Sequence, residues 1–375
     1  MTRARDIANL GNNTTNLETL DTLYGDNVLT GRNLIINGAM TVAQRSTSET
    51  NFTGSAFRTV DRVRTNLSGG GAFDQEQSTD VPSGQGFINS LKTTVNTVDS
   101  SIAAGDYYGL EFPLEGQNVN SVSGFGTSGA KNLTLSFWVK SSVTGNYSVS
   151  FQNGSFNTSY VSKYTISSAD TWEKKTISID AKTDGTWVTT NAKGVRLWFS
   201  LGTGSTFSTS NEQTWESANY VHITGTTQWV SNASATFFIT GVQLEIGDTA
   251  TPFEHEGYGT TLAKCQRYLP ALNHQGNGMY ATGKAFSSTG ARIFYQFKVP
   301  PRTNPTGISI SAAGDFKITN ANDALNTVTA MTFQTGTNVG CRMAVNVASG
   351  LTAGHATELY IQSSSAQILF TGVEL

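Results

Sequence analysis

The chain has 375 residues, a net charge of −3 at pH 7, a charged fraction of 14% and an aromatic fraction of 10%. That length supports more than one hydrophobic core, and that composition excludes both a bulk-disordered chain and a strongly basic binder of phosphate backbones, so nucleic acid is not expected as a partner. Two cysteines, Cys265 and Cys341, exclude a disulfide framework, and 38 glycines against seven prolines point to many short strands joined by tight turns.

Residues 1–33 open with MTRARDIANLG, which lacks the apolar core of a signal peptide, and no run in the chain approaches the roughly 20 apolar residues that cross a bilayer. The expectation is a chain made in a cytoplasm, soluble and without membrane insertion. Ile7, Leu10, Leu17, Leu20, Leu23 and Val28 are loosely helical in spacing, but Gly11 and the Asn12–Asn13 pair interrupt them. A helix that short is unstable alone. Two readings stand: a segment that attaches the chain to a larger assembly or oligomerises it, and a leader outside the fold.

From residue 34 to residue 255 the signal is alternation. In NLTLSFWVKS, Leu133, Leu135, Phe137 and Val139 point one way while Thr134, Ser136, Trp138 and Lys140 point the other. GVRLWFSLG repeats this, with Val195, Leu197, Phe199 and Leu201 opposite Arg196, Trp198 and Ser200. YSVSFQN, EKKTISID and ATFFITGVQLEI read as further strands, and Trp172 in ADTWEKK is expected to start a strand and pack inward. So many strands in one region predict a jelly-roll-type antiparallel sandwich.

Residues 256–272 hold the clearest helical pattern. In YGTTLAKCQRYL, Leu262, Cys265, Tyr268 and Leu269 share a face before Pro270 stops it, which predicts a linker helix. Residues 273–375 return to alternation, with Ile293, Tyr295, Phe297 and Val299 on one face of ARIFYQFKVPP and a turn at Ala313–Asp315. The final LFTGVEL echoes FITGVQLE at 238–245, through either a degenerate duplication or chance similarity of β sequences. The fold class is therefore all-β: an N-terminal leader, a large jelly-roll-type sandwich, a short linker helix and a smaller C-terminal β-sandwich.

Six segments in order carry a resemblance: NLIINGAMTVAQRSTS, SFWVKSS, TWEKKTISIDAKTDGTW, VRLWFSLGTGSTF, FFITGVQLEIGDTATPFEH and YGTTLAKCQRY. Together, over roughly residues 33–268, they resemble tail-fibre-like structural proteins of marine podoviruses and related tailed phages. NLIINGAM and FITGVQLE also look like the first and last strands of jelly-roll carbohydrate-binding modules. The resemblance implies a place in the virion, contacts to other phage virion proteins through residues 1–33, a homotrimer, a host cell-surface glycan as partner, and receptor binding at the C-terminal tip. Carbohydrate modules of this kind usually carry an acidic pair before the closing strand that helps hold a structural calcium. Thr240 and Gly241 stand in that place here, so no cofactor is expected unless Asp74, Glu76 and Glu245 converge from distant strands.

Catalysis needs convergent groups, and His222, His255, His274 and His355 are scattered singly. Glu254, His255 and Glu256 are adjacent in an extended segment and point in alternating directions, and the Gly69–Gly71 run reads as a flexible turn. The chain is not expected to be an enzyme. The alternatives to an appendage that binds host polysaccharide are a capsid decoration or tail scaffold protein with protein contacts only, and a polysaccharide depolymerase built on two carboxylates.

The aromatic residues say more, because sugar rings stack on indoles while their hydroxyls seek polar side chains. Trp138 with Lys140, and Trp198 with Arg196, lie on the polar sides of their strands and would form one platform if those strands share a sheet. The other reading is cover by a loop or a neighbouring subunit. Trp187, Trp215 and Trp229, with Tyr220, sit in loop-like stretches and are either further glycan contacts or buried loop anchors.

Overall fold

The computed structural model describes residues 31–274 and 276–375. The expected attachment segment lies, up to residue 30, outside the described residues. Two separate hydrophobic clusters form, one from residues 35–244 and one from residues 272–370.

In chain order the first region contains β1 (Ser48–Phe52), β2 (Ala56–Phe57), β3 (Arg64–Ser68), β4 (Ala72–Ser78), β5 (Ser90–Thr97) and β6 (Tyr107–Glu115). After helix α1 (Gly116–Ser123) come β7 (Leu133–Ser141), β8 (Gly145–Asn153), β9 (Ser159–Ile166), β10 (Glu173–Ile179) and β11 (Lys193–Thr203). Three two-residue strands, β12 (Ser208–Thr209), β13 (Trp215–Glu216) and β14 (His222–Ile223), precede β15 (Thr236–Ile246). They form a six-stranded sheet ordered β1-β4-β5-β15-β7-β10 and a seven-stranded sheet ordered β13-β9-β8-β11-β6-β3-β2, with β12 and β14 paired in parallel as a separate ribbon. Pairing within both sheets is antiparallel.

The two inner faces are the ones the alternation predicts. Leu133, Leu135, Phe137 and Val139 of β7 and Val195, Leu197, Phe199 and Leu201 of β11 are all fully buried, and the Phe137 and Phe199 rings meet edge-on at 4.9 Å. Each such side chain contributes about 1.5–3 kcal/mol on burial.

Residues 31–33, which the sequence assigned to the leader, belong to the sandwich. Leu34 N donates to Leu244 O at 2.8 Å. Asn33 bridges the same strand, its Nδ2 donating to Val242 O at 3.0 Å and its Oδ1 accepting from Leu244 N at 3.1 Å. The Glu254 carboxylate accepts from the backbone of Asn33 and of Gly31. A chain beginning at residue 34 is therefore expected to unfold at lower denaturant than one beginning at residue 31, by about 1–3 kcal/mol for the lost bonds and the acceptors left unpaired. Identical chemical-denaturation midpoints for the two truncations would contradict it.

Helix α2 (Tyr258–Gln266) leads into β16 (Ala271–Asn273), β17 (Gly278–Ala285), β18 (Gly290–Gln296), β19 (Gly307–Ile310) and β20 (Phe316–Thr319). The chain ends in β21 (Leu325–Gly336), β22 (Gly340–Val347), β23 (Ala356–Ile361) and β24 (Gln367–Thr371). Here the expected smaller sandwich takes the form of a closed barrel, β17-β18-β22-β21-β20-β23, beside a three-stranded sheet, β16-β24-β19. Pairing of β23 back onto β17 closes the ring and leaves it no free edge. Ile293, Met343, Val345, Phe316, Leu359 and Ile361 fill the interior, and Tyr295 stacks on Phe370 at 5.1 Å.

The echo between FITGVQLE and LFTGVEL corresponds to different settings. β15 is an 11-residue strand of the six-stranded sheet, whereas β24 has five residues in the three-stranded one. The shared Thr-Gly step places a glycine with positive φ in each, Gly241 at 61° and Gly372 at 84°.

The helix is a packed joint. Cys265, Tyr268 and Leu269 are buried, the Arg62 guanidinium lies 3.5 Å from the centre of the Tyr268 ring, and Arg267 pairs with Glu115 at 3.0 Å. Gln367 donates to Gln44 O at 2.7 Å across the same joint.

Candidate functional site

The outer face of the six-stranded sheet carries an ordered row of polar and aromatic residues. Because opposed residues on antiparallel strands share a face, the register sets Glu76 of β4, Lys92 of β5, Phe238 of β15 and Lys140 of β7 in one row. Trp172, just before β10, extends the row, its indole 6.1 Å from the Phe238 ring at 67°.

Charges lie over these rings. Lys140 Nζ is 4.2 Å from the Phe238 centroid and 5.5 Å from that of Trp172, and Lys92 Nζ is 5.7 Å from Phe238. Asp80, reaching over from the β4–β5 loop, accepts from Trp172 Nε1 at 3.0 Å and from Lys140. Partial burial alone would raise the Asp80 carboxyl, but the bonds from Lys140 and Trp172 hold it below the usual carboxylate range, so it is an anion. Lys92 in turn pairs with Glu76 at 2.9 Å.

Beyond Lys92 the face opens into a hollow of about 270 Å³ lined by Ser48, Glu49 and Thr50 of β1, Asp74 and Glu76 of β4, and Thr94 of β5. Its carboxylates are already engaged. Glu49 accepts from Arg58 at 2.6 Å, Asp74 accepts from Asn51 N at 2.7 Å and Asn96 Nδ2 at 3.0 Å, and Glu76 holds Lys92. Such a strip offers the half-buried Trp172 ring at one end, beside a Phe238 ring buried beneath Lys140, and a series of fixed donors and acceptors along its length. It matches an elongated ligand with alternating apolar faces and hydroxyl groups.

The platform of Trp138, Lys140, Trp198 and Arg196 does not assemble. β7 and β11 belong to different sheets, so their outer faces point away from each other. Trp138 is half-buried on the six-stranded sheet, where a Cβ on Gly241 would come within 2.6 Å of Phe87 and 3.1 Å of the indole. Trp198 is 1% exposed. It fills the notch left by Gly109, where a Cβ would stand 2.4 Å from the indole, and meets Tyr107 edge-on at 5.9 Å. Arg196 donates to Gln152 Oε1 at 2.6 Å and to Asn219 Oδ1 at 2.9 Å beneath the 204–228 excursion. For this pair the cover is a loop of the same chain.

The loop tryptophans pack as anchors. Trp187 and Trp215 meet edge-on at 5.6 Å around Phe125, and Trp229 is fully buried between Phe73 and Phe237. Tyr220 is half-buried, its carbonyl accepting from Ser150 Oγ at 2.8 Å and Gln152 Nε2 at 3.0 Å. Trp172, expected inward, turns outward. Ile177 and Ile179 set the odd positions of β10 against Leu135 and Leu133 of the core, which leaves even positions facing out.

The acids considered for calcium stay apart. Glu245 lies seven residues along β15 from Phe238, about 23 Å at the rise of a strand, and accepts from Thr251 N at 2.9 Å and Thr251 Oγ1 at 2.6 Å. Among the described residues no three His, Cys, Asp or Glu side chains are grouped to hold a metal. Glu254, His255 and Glu256 likewise diverge, towards Asn33 N, Gln85 O and Lys264 respectively.

No family model and no curated protein matches the chain. Several solved structures share a distant likeness. The enzymatically active domain of tailspike protein 4 from Bacteriophage CBA120 is 13% identical over 57% of this chain, with a TM-score of 0.29, and the chain spans 21% of that protein. A family 11 carbohydrate-binding module from Clostridium thermocellum, solved with a β-1,3-1,4-mixed-linked tetrasaccharide, is 13% identical over 55% of this chain and 99% of its own, with a TM-score of 0.27. The tandem CBM22-1–CBM22-2 domain of Paenibacillus barcinonensis Xyn10C is 11% identical over 88% of this chain and 97% of its own, with a TM-score of 0.26.

Proposed function

We propose that this chain is a non-catalytic glycan-binding protein that takes an extended polysaccharide along the outer face of its six-stranded sheet. The observation that carries this reading is the row Glu76, Lys92, Phe238 and Lys140, continued by Trp172 and opening on the hollow above β1, β4 and β5. The Trp172 ring at one end stacks on a sugar face, and the engaged carboxylates and amines act as rigid hydrogen-bonding partners. Carboxylates already held by Arg58, Asn51, Asn96 and Lys92 suit recognition better than proton transfer. With the sequence resemblance to phage tail-fibre-like proteins, the proposal extends to a host surface polysaccharide as ligand, a place in the virion, attachment through the N-terminal residues and a homotrimeric assembly.

A glycan array and an adsorption assay on host cells, both with the full chain, test it. Trp172→Ala is expected to weaken retention roughly tenfold, the equivalent of one stacking ring at about 1–2 kcal/mol. Its unfolding midpoint should stay near that of the unsubstituted protein, because the indole lies outside the core. Binding to no polysaccharide, or unaltered binding by a folded Trp172→Ala variant, would overturn the reading.

A further inference from the structure

The C-terminal barrel presents a second surface, of different chemistry. On β18 the outward residues Arg292, Phe294 and Gln296 are all exposed. Arg292 lies between Lys284 of β17 and Ala344 of β22, and Phe294 between Thr282 of β17 and Arg342 of β22. Phe294 is 53% exposed and Phe286, at the β17–β18 turn, 49%. The Arg292 guanidinium stands 5.3 Å over the Phe286 ring. Among the described residues Lys284, Arg292 and Arg342 enter no ion pair. The acid bordering the patch is Glu358 of β23, opposite Thr282 on the far side of β17.

Two exposed rings flanked by three unpaired cations are unusual on a chain whose net charge is −3. Water satisfies the cations but not the rings, so a partner that covers apolar faces and supplies negative charge together complements this patch. A second copy placed isologously on this face would set Lys284, Arg292 and Arg342 against their own symmetry mates. A nucleic acid carries about one phosphate charge per 1.7 Å of duplex, a denser array than three cations spread over three strands can match. A chain bearing about one anion per sugar ring matches the sparse spacing of cations across adjacent strands better.

We infer that the outer face of β17, β18 and β22 binds an acidic polysaccharide, with Arg292 and Arg342 pairing with its carboxylates or sulfates while Phe286 and Phe294 stack on its rings. This surface is distinct from the groove on the sandwich, and either can fail without the other.

Affinity electrophoresis of the full chain through gels containing polygalacturonate, neutral dextran or poly(dT) tests it. The unsubstituted protein is expected to be retarded by polygalacturonate and not by dextran, with the retardation falling in about 0.5 M salt. The double variant Arg292→Gln/Arg342→Gln, altered only at exposed positions, should lose roughly tenfold in polygalacturonate affinity. Phe294→Ser should weaken it as well. No retardation by polygalacturonate, or full retention by the folded double variant, overturns the inference. Equal or tighter retention by poly(dT) makes the partner a nucleic acid and also overturns it. So does self-association that Phe294→Ser abolishes in a protein that ignores polygalacturonate.

Discussion

Replacing Glu111 with Gln is expected to lower the stability of the sandwich by about 3–5 kcal/mol, the scale of breaking a buried charge cluster by removing one partner. Glu111 is fully buried on β6, opposite Trp198 of β11 and Arg64 of β3. Its carboxylate accepts from Lys193 Nζ at 2.6 Å and Asn66 Nδ2 at 2.9 Å, and Arg64 stands at 3.6 Å. Burial alone would raise the Glu111 carboxyl, but the charges of Lys193, Arg196 and Arg64 hold it below the usual range, so the group is ionised. Glutamine keeps the shape and the acceptor for Asn66 but leaves Lys193 and the buried Arg196 without a counter-charge. Chemical denaturation of the single variant, compared with Lys193→Met and the double variant, measures the coupling. A loss below about 1 kcal/mol would place the cluster with ordinary surface ion pairs and contradict the prediction.

A second large effect is expected from acid. His222 is buried, with Nδ1 2.9 Å from Ser200 Oγ and Nε2 3.0 Å from Thr226 Oγ1, and burial pushes its pKa down from 6.5 to about 4. Above pH 6.5 the imidazole is neutral in folded and unfolded chains alike. Between 6.5 and about 4 the unfolded chain takes up a proton that the folded one refuses, so stability is lost as pH falls, by about 3 kcal/mol over the window. Asp61 works in the opposite direction. Burial pushes its carboxyl up from 3.8 to about 6 despite the bonds from Gln44, so its contribution to stability is fully present below 3.8 and is lost as pH rises through 6. The two partly cancel in the unsubstituted protein. The informative quantity is the difference between it and His222→Gln, which keeps hydrogen-bonding capacity but does not titrate. That difference should move in favour of the variant by about 3 kcal/mol between pH 6.5 and pH 4. A difference independent of pH would contradict the assignment.

Much of this could be read from the residues themselves, wherever the deciding physics is local. Alternation of period two assigned Leu133 to Val139 and Val195 to Leu201 to the buried faces, because which side of a pleat a residue occupies depends only on its own strand. Helix α2 was legible in outline, but it ends at Gln266, and Tyr268 and Leu269 are buried from the turn that follows it. Trp172 was within reach too: the parity of Ile177 and Ile179 places it outward, and only its position just ahead of the strand concealed this. The bonds that tie Asn33 into the fold, to Val242 and Leu244 more than 200 residues away, follow from no local pattern.

What the tertiary structure alone decided is which strands lie side by side. Nothing in LTLSFWVKS or VRLWFSLG says that they enter opposite sheets, yet that assignment separates Trp138 from Trp198 and puts Phe238, Lys92 and Trp172 beside Lys140 instead. The same holds for the C-terminal region, where closure of β23 on β17 turns an expected sandwich into a barrel and the β18–β22 register aligns Arg292, Phe294 and Arg342 on one face. Strand pairing is a contact between distant segments, selected by the register in which both buried faces are filled at once, so it is a property of the whole sheet rather than of any strand's own pattern.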